Sequence, residues 1–349
     1  MVYYYCQEII SILGYRRCCT CEVTYKQEGV FSLLEKYNRN KEMNQQIGAY
    51  MMKNLSEQMQ LRFSDCGSFI EMLVDKEEKN GKSINANFCN NRFCPLCSWR
   101  RARKDALKID VIMKYVKLEQ DKQYIFLTLT APNVKAENLK GEIDRYNLAF
   151  KKLMSGEKVR RMNRGYIRKL EITYNEKRND YHPHFHILIA VEDWYFTDRT
   201  YISQEHWLKL WREAMSDWDI KIVFVNRVYD MKNGVKDEFG KKNGTAVQEL
   251  AKYAAKDTDY QYSEMVFDMF YKALKGRQII TYNGLFKDAV KLYKDGMLDK
   301  YINEDTIEYY WRLFFRWGGH AYGEIKRFEL TEDMKREIMG KKVMEVDVD

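Results

Sequence analysis

Residues 181–190 carry His182, His184 and His186 at every second position of a largely apolar run. Alternate side chains of a strand share a face, so the three imidazoles stand in one row, with Phe185, Ile187 and Ile189 turned the other way into a core. Such a row suits a metal site built on a sheet. It uses three of the five histidines in the chain, and His206 and His320 are expected outside the site. Residues 166–174 read as the preceding strand and 175–180 as a hairpin loop. A loop centred near Lys177 sets Glu171 opposite His184 or within one pair of it. Two imidazoles and a carboxylate make three ligands and leave positions for water and substrate. His184 and His186 are two of them; the third is Glu171, from the register, or His182.

A second constellation is Cys66, Cys89, Cys94 and Cys97. Cys94 and Cys97 form a CxxC turn that brings two thiolates to one tetrahedral ion, and Cys66 returns as a fourth ligand across a polar loop at 76–87. The N-terminus lacks a basic segment followed by a long apolar run, so the chain is read as having no signal peptide and residing in a reducing bacterial cytoplasm. There the cysteines favour structural Zn²⁺ over disulfides. Cys18, Cys19 and Cys21 crowd together, and adjacent cysteines make poor joint ligands. Arg92 lies within the knuckle, and Arg100, Arg101, Arg103 and Lys104 open the helix after it; Arg160, Arg161 and Arg164 form another basic turn or short helix. Both clusters suit contacts to DNA phosphates.

Residues 247–256 read as a helix on which Glu249, Tyr253 and Lys256 fall at i, i+4 and i+7, on one face. A tyrosine flanked one turn away by a carboxylate and a lysine is a chemically suggestive grouping. Composition agrees with an anionic partner without proving one: the formal net charge is +8, and 26 tyrosines and 7 tryptophans accompany it. Aromatic rings beside basic side chains suit single-stranded nucleic acid. No apolar window reaches membrane-spanning length, so no membrane partner is expected.

Three strands, at 124–130, 166–174 and 182–190, predict an antiparallel sheet with a polar, metal-binding face. Helices are expected at 140–154 and 204–218, with a further strand at 220–228. The fold class is therefore α+β: a central antiparallel sheet flanked by helices, with a four-cysteine zinc knuckle before it and a helical C-terminal part. The domain boundaries expected are 1–60 for an N-terminal helical extension, 61–118 for the knuckle and basic helix, 119–265 for the catalytic domain, and 266–349 for a helical C-terminal region whose last residues, 331–349, are a frayed end.

The knuckle followed by arginines, the 126–130 strand, His-Pro-His-Phe-His at 182–186, and the Glu249–Tyr253–Lys256 helix stand in one order. That order resembles the rolling-circle plasmid replication initiators of the zinc-knuckle, single-tyrosine group, within the HUH endonuclease superfamily. The likeness runs from about residue 66 to 292 and includes residues 273–277 and 284–287. It implies a sheet related to the RNA-recognition-motif topology. It also implies an enzyme that nicks one strand at a plasmid's double-strand origin, with Tyr253 retaining the 5′ phosphate and the 3′ hydroxyl priming synthesis. Mg²⁺ or Mn²⁺ at the histidines, Glu249 activating water for a terminating cleavage, and a host helicase and polymerase as partners follow from the same likeness. A transposase or relaxase of the same superfamily, or a non-catalytic zinc-dependent DNA-binding regulator, are the alternatives.

Overall fold

The computed structural model describes residues 30–197, 199, 201–228, 246–251 and 262–340. Among these, nine strands follow in chain order: β1 (Phe69–Asp75), β2 (Gly81–Ala86), β3 (Gln123–Thr130), β4 (Gly165–Asn175), β5 (Asp180–Val191), β6 (Val223–Val228), β7 (Ile280–Gly284), β8 (Tyr309–Trp317) and β9 (Tyr322–Glu329). The architecture is α+β, with two antiparallel sheets flanked by helices. The chain divides into two compact units, Met1–Arg101 with Glu304–Asp349, and Ala102–Asn303. No helix among the described residues is long and apolar enough to cross a membrane.

The discontinuous unit holds a sheet of order β2-β1-β8-β9. Helix Val30–Met52 presents Val30, Leu33, Tyr37, Ile47 and Met51 as its buried stripe, spaced for one helical face. Two expectations are corrected here. The polar loop at 76–87 contains β2, which pairs with β1 from Val74↔Gly81 to Ile70↔Ala86. The C-terminal region is not helical throughout: β7, β8 and β9 interrupt it, and the segment expected to fray carries helix Glu332–Gly340. Residues 309–317 carry apolar or aromatic side chains at most positions, and their pairing with β1 from Phe69↔Arg316 to Asp75↔Tyr309 supplies the hydrogen bonds that favour a strand.

The contiguous unit is built on the order β6-β3-β5-β4-β7. One face of its sheet is closed by helices Leu139–Ser155 and Gln204–Met215. Phe185 meets Tyr146 and Phe150 edge-on at 5.4 and 5.6 Å, and Trp211 Nε1 donates to the Thr130 carbonyl at 2.8 Å. Ser203 caps the second of these helices by accepting from His206 N, and Ser216, at φ 53°, ends it in the left-handed region. The other face is apolar toward one end, where Tyr124, Phe126, Ile167, Leu188 and Ala190 pack with residues of helices Pro95–Leu118, Ala246–Ala251 and Leu285–Lys294. At the β4–β7 edge Gly165 faces Gly284, and a Cβ on Gly284, at φ +54°, would fall 2.5 Å from the Arg164 carbonyl oxygen. Glycine is what lets β7 join the sheet there.

Candidate active site

The polar end of that second face is set by strand register. Glu171 lies directly opposite His184, Lys169 opposite His186, and Thr128 and Thr130 opposite His186 and His184. Glu171 Oε2 is 3.2 Å from His186 Nε2 and 3.8 Å from His184 Nε2. The three ligand atoms lie within 4.8 Å of one another, all on buried or half-buried side chains. The register expected from the hairpin is thus the one observed.

The outer ring nitrogens orient these imidazoles. His184 Nδ1 is 3.2 Å from the His182 carbonyl, which can only accept, so Nε2 is left with its lone pair facing Glu171. His186 Nδ1 sits 3.2 Å from the Thr128 hydroxyl. Burial pushes His184 down to about 3 against the pull of Glu171, with His186 and His182 adding to the fall, so the ring is neutral and fit to ligate. Burial opposes ionisation of Glu171, yet His186, His184 and Lys169 together hold it well below the usual carboxylate range. Its Oε2 is buried and finds no hydrogen-bond donor of proper geometry among the described residues. A buried anionic oxygen left unsatisfied beside two imidazole nitrogens fits a divalent cation. His182, the other candidate ligand, lies opposite Thr173, and its ring bonds to the Ala131 backbone; it is not part of the converging group.

Glu249 is buried on helix Ala246–Ala251, which packs against β4 and β5. Tyr253 and Lys256 lie outside the described residues, as do Cys18, Cys19 and Cys21. The link between that helix and the sheet is a residue the sequence reading passed over. Lys169 is fully buried, shares the face of Glu171 at two residues' remove, and donates to the Glu249 carbonyl at 3.4 Å. The signal was available, since i and i+2 on a strand share a face, but the lysine reads as a surface charge beside Arg168. Lys169→Met, which keeps the length and removes a cation that repels a second one, should strengthen divalent-ion affinity at this site, with the melting temperature nearly kept. Isothermal titration with Mn²⁺ checks this, and unchanged affinity removes Lys169 from the site.

In the other unit all four cysteines converge. Cys66 Sγ lies 3.5 Å from both Cys94 and Cys97 Sγ, and Cys89 Sγ lies 3.6 Å from Cys97 Sγ. A tetrahedron of sulfurs at about 2.3 Å from a metal has edges of about 3.8 Å, so the cluster is close to the size for such an ion. Cys94 and Cys97 flank the first turn of helix Pro95–Leu118, where Pro95 starts the helix. The Cys66, Cys89 and Cys94 thiols pull Cys97 toward the thiolate, and backbone N–H groups of Cys89 and Asn91 point at Cys66 and Cys89 Sγ.

The basic residues divide by exposure. Arg101 is exposed and donates to the Asn90 carbonyl, and Arg100 lies over the Phe88 ring at 4.4 Å. Burial and the neighbouring Arg101 push Arg92 down, which marks two cations set close together. Arg103 and Lys104 are half-buried. Arg160 and Arg161 are exposed on helix Glu157–Met162, and Arg164 is held by Glu192 at 2.7 Å.

The family described as Rep_1, Replication protein, matches residues 80–317. A "Protein rep" of Staphylococcus aureus is 45% identical over 228 residues, which cover 65% of this chain and 95% of that protein. A "Protein rep" of Bacillus amyloliquefaciens is 36% identical over 245 residues, 66% of this chain and 71% of that protein. One from Streptococcus pneumoniae is 31% identical over 235 residues, 66% and 70% of the two chains. No solved structure matches. With more than half of its length matched by the family, the chain belongs to the Rep_1 replication proteins.

Proposed function

We propose that the chain is a plasmid replication initiator that acts in the bacterial cytoplasm and nicks one strand at the double-strand origin. The observation that carries the reading is the convergence of Glu171, His184 and His186 beside the helix that leads to Tyr253. These three would hold Mg²⁺ or Mn²⁺, whose contribution when bound is to polarise the scissile phosphate. Tyr253 then serves as nucleophile. Its oxygen bonds to phosphorus, the bond to the 3′ oxygen breaks, and that oxygen leaves as a 3′ hydroxyl after taking a proton. A free phenol titrates near pH 10, and Lys256, three residues on in the sequence, is the cation that would favour its ionised form. The 3′ hydroxyl primes a host polymerase. A host helicase supplies unwinding, since the sequence has no Walker-type phosphate loop. The arginines at 92, 100, 101, 160 and 161, with Arg103, Lys104 and Arg164, contact DNA phosphates in this reading. A purely DNA-binding regulator would have no use for a buried carboxylate set among imidazoles.

The test is incubation with a labelled single-stranded origin oligonucleotide and Mn²⁺. A covalent protein–DNA complex stable in SDS is expected, with the nucleotide mapped to Tyr253 by mass spectrometry and absent from Tyr253→Phe. An adduct that persists in the Phe variant shifts the role to another tyrosine, and no adduct at all favours the regulator.

Glu249 has a distinct expected role. Glu249→Gln should form the Tyr253 adduct at a near-normal rate but release it by hydrolysis about 100-fold or more slowly, because an amide cannot accept the proton of attacking water. Separate time courses of adduct formation and release check this. Equal slowing of both steps would reduce Glu249 to a helix-packing residue.

A further inference from the structure

The sheet of the discontinuous unit has two unlike faces. On one, Ile70, Met72, Leu313 and Phe315 are buried. On the other, three phenylalanines from three adjacent strands remain half-exposed: Phe69 on β1, Phe314 on β8 and Phe328 on β9. Phe314 lies 5.9 Å from Phe69 and 5.7 Å from Phe328, so the rings form one row across the strands. Cations alternate with them. Arg316 stands opposite Phe69, Lys326 opposite Phe314, and Arg312 opposite Phe328. Arg312 lies over the Phe314 ring and Lys326 Nζ over Phe328 at 4.5 Å. The charge balance is positive. The buried Glu71 is matched by Arg312 at 2.5 Å, whereas Arg316 is exposed and has no carboxylate partner among the described residues. Gly323, opposite Arg316, leaves open space where a side chain would stand. Helix Glu332–Gly340 covers only the far end of this face, packing through Met334 and Ile338 on Leu73 and Tyr309.

We infer that this aromatic and basic face binds single-stranded DNA, stacking two or three bases on Phe69, Phe314 and Phe328 while Arg316 and Lys326 meet the phosphates. A patch recognising only an acidic protein needs the cations but not a row of half-exposed rings. A duplex keeps its base faces stacked on one another, so only unpaired bases can use such rings. The choice of DNA over RNA rests on the origin-nicking reading; the stacking does not.

The experiment measures anisotropy of a labelled oligothymidylate lacking origin sequence, with full-length protein and no added divalent ion, so that the Tyr253 reaction does not contribute. Phe314→Leu keeps an apolar side chain of similar size and removes the aromatic face; Phe314→Tyr keeps the face. The Leu variant should lose about tenfold in affinity for the single strand, with duplex affinity unchanged, and the Tyr variant should bind as the parent does. Equal affinity of parent and Leu variant, or equal loss in both variants, overturns the inference. So does displacement of the oligonucleotide by poly-glutamate as readily as by unlabelled oligothymidylate, which would make the face a dock for an acidic protein. Because adduct formation is scored separately, failure of the nicking reaction and failure of this surface are distinguishable.

Discussion

Glu171→Gln is expected to reduce divalent-ion-dependent cleavage on the order of 1000-fold, equivalent to about 4 kcal/mol at about 1.4 kcal/mol per decade. The amide occupies nearly the same volume but removes the only carboxylate in the converging group, and it can turn an N–H toward the imidazoles of His184 and His186. The fold should survive, since β4 keeps its whole ladder to β5 from Gly165↔Ala190 to Asn175↔Asp180. The pH dependence has a fixed sign. His184 titrates near 3 in the folded chain against about 6.5 unfolded, so below about pH 6.5 the unfolded state binds the extra proton. Glu171 is depressed, and its contribution is lost as pH falls through its folded value. Both make ion-free protein less stable in acid, and glutamine should remove the Glu171 share. Cleavage rates at saturating Mn²⁺ and urea melts at pH 5 and 7 measure the two effects; a Gln variant that cuts like the parent places the reactive ion elsewhere.

The second large effect is expected from the cysteine cluster. One zinc per chain should copurify, and Cys94→Ser or chelation should unfold the sheet β2-β1-β8-β9 and its knuckle. Structural zinc contributes about 10–16 kcal/mol in small domains, comparable with or greater than the whole stability of a typical domain. Without the ion, four buried sulfurs and the Lys41 ammonium, held by the Ser64 and Cys66 carbonyls at 3.0 and 2.7 Å, lose the charge balance that justifies their burial. Elemental analysis gives the stoichiometry, and protease cleavage between residues 66 and 97 after chelation reports the unfolding. Freshly purified protein with no zinc would end this expectation.

What could be read ahead of the structure follows from the range of the interactions. Glu171 and His184 are joined by a short hairpin, so strand period and loop length place them together. The CxxC turn is equally local. The β8 strand was not legible, because Tyr309, Trp311, Leu313, Phe314 and Phe315 offer little alternation and its partner lies far upstream, with Glu71 and Arg312 separated by 241 positions. The β2 strand was hidden by composition instead, since Lys82, Ser83 and Asn85 look like loop chemistry until β1 pairs with them across a short turn. Lys169 escaped because a charged residue in a strand suggests solvent, whereas helix Ala246–Ala251 packs against β4 and accepts its hydrogen bond.

The pairing of β1 with β8 also bears on how the chain is made. Translation at about 5–20 residues per second leaves roughly 12–48 s between the emergence of Glu71 and that of Arg312, 241 residues later. During that interval the contiguous stretch Ala102–Asn303 is synthesised and can begin to fold as it emerges. β1, by contrast, waits with β2 on one side and an open edge bearing Ile70, Met72, Leu73 and Val74 on the other. Such an edge invites pairing with a neighbouring nascent chain. A stop codon placed before residue 304 would make that exposure permanent, so truncated products should collect in inclusion bodies even though every cysteine of the knuckle and every member of the Glu171 cluster has been synthesised.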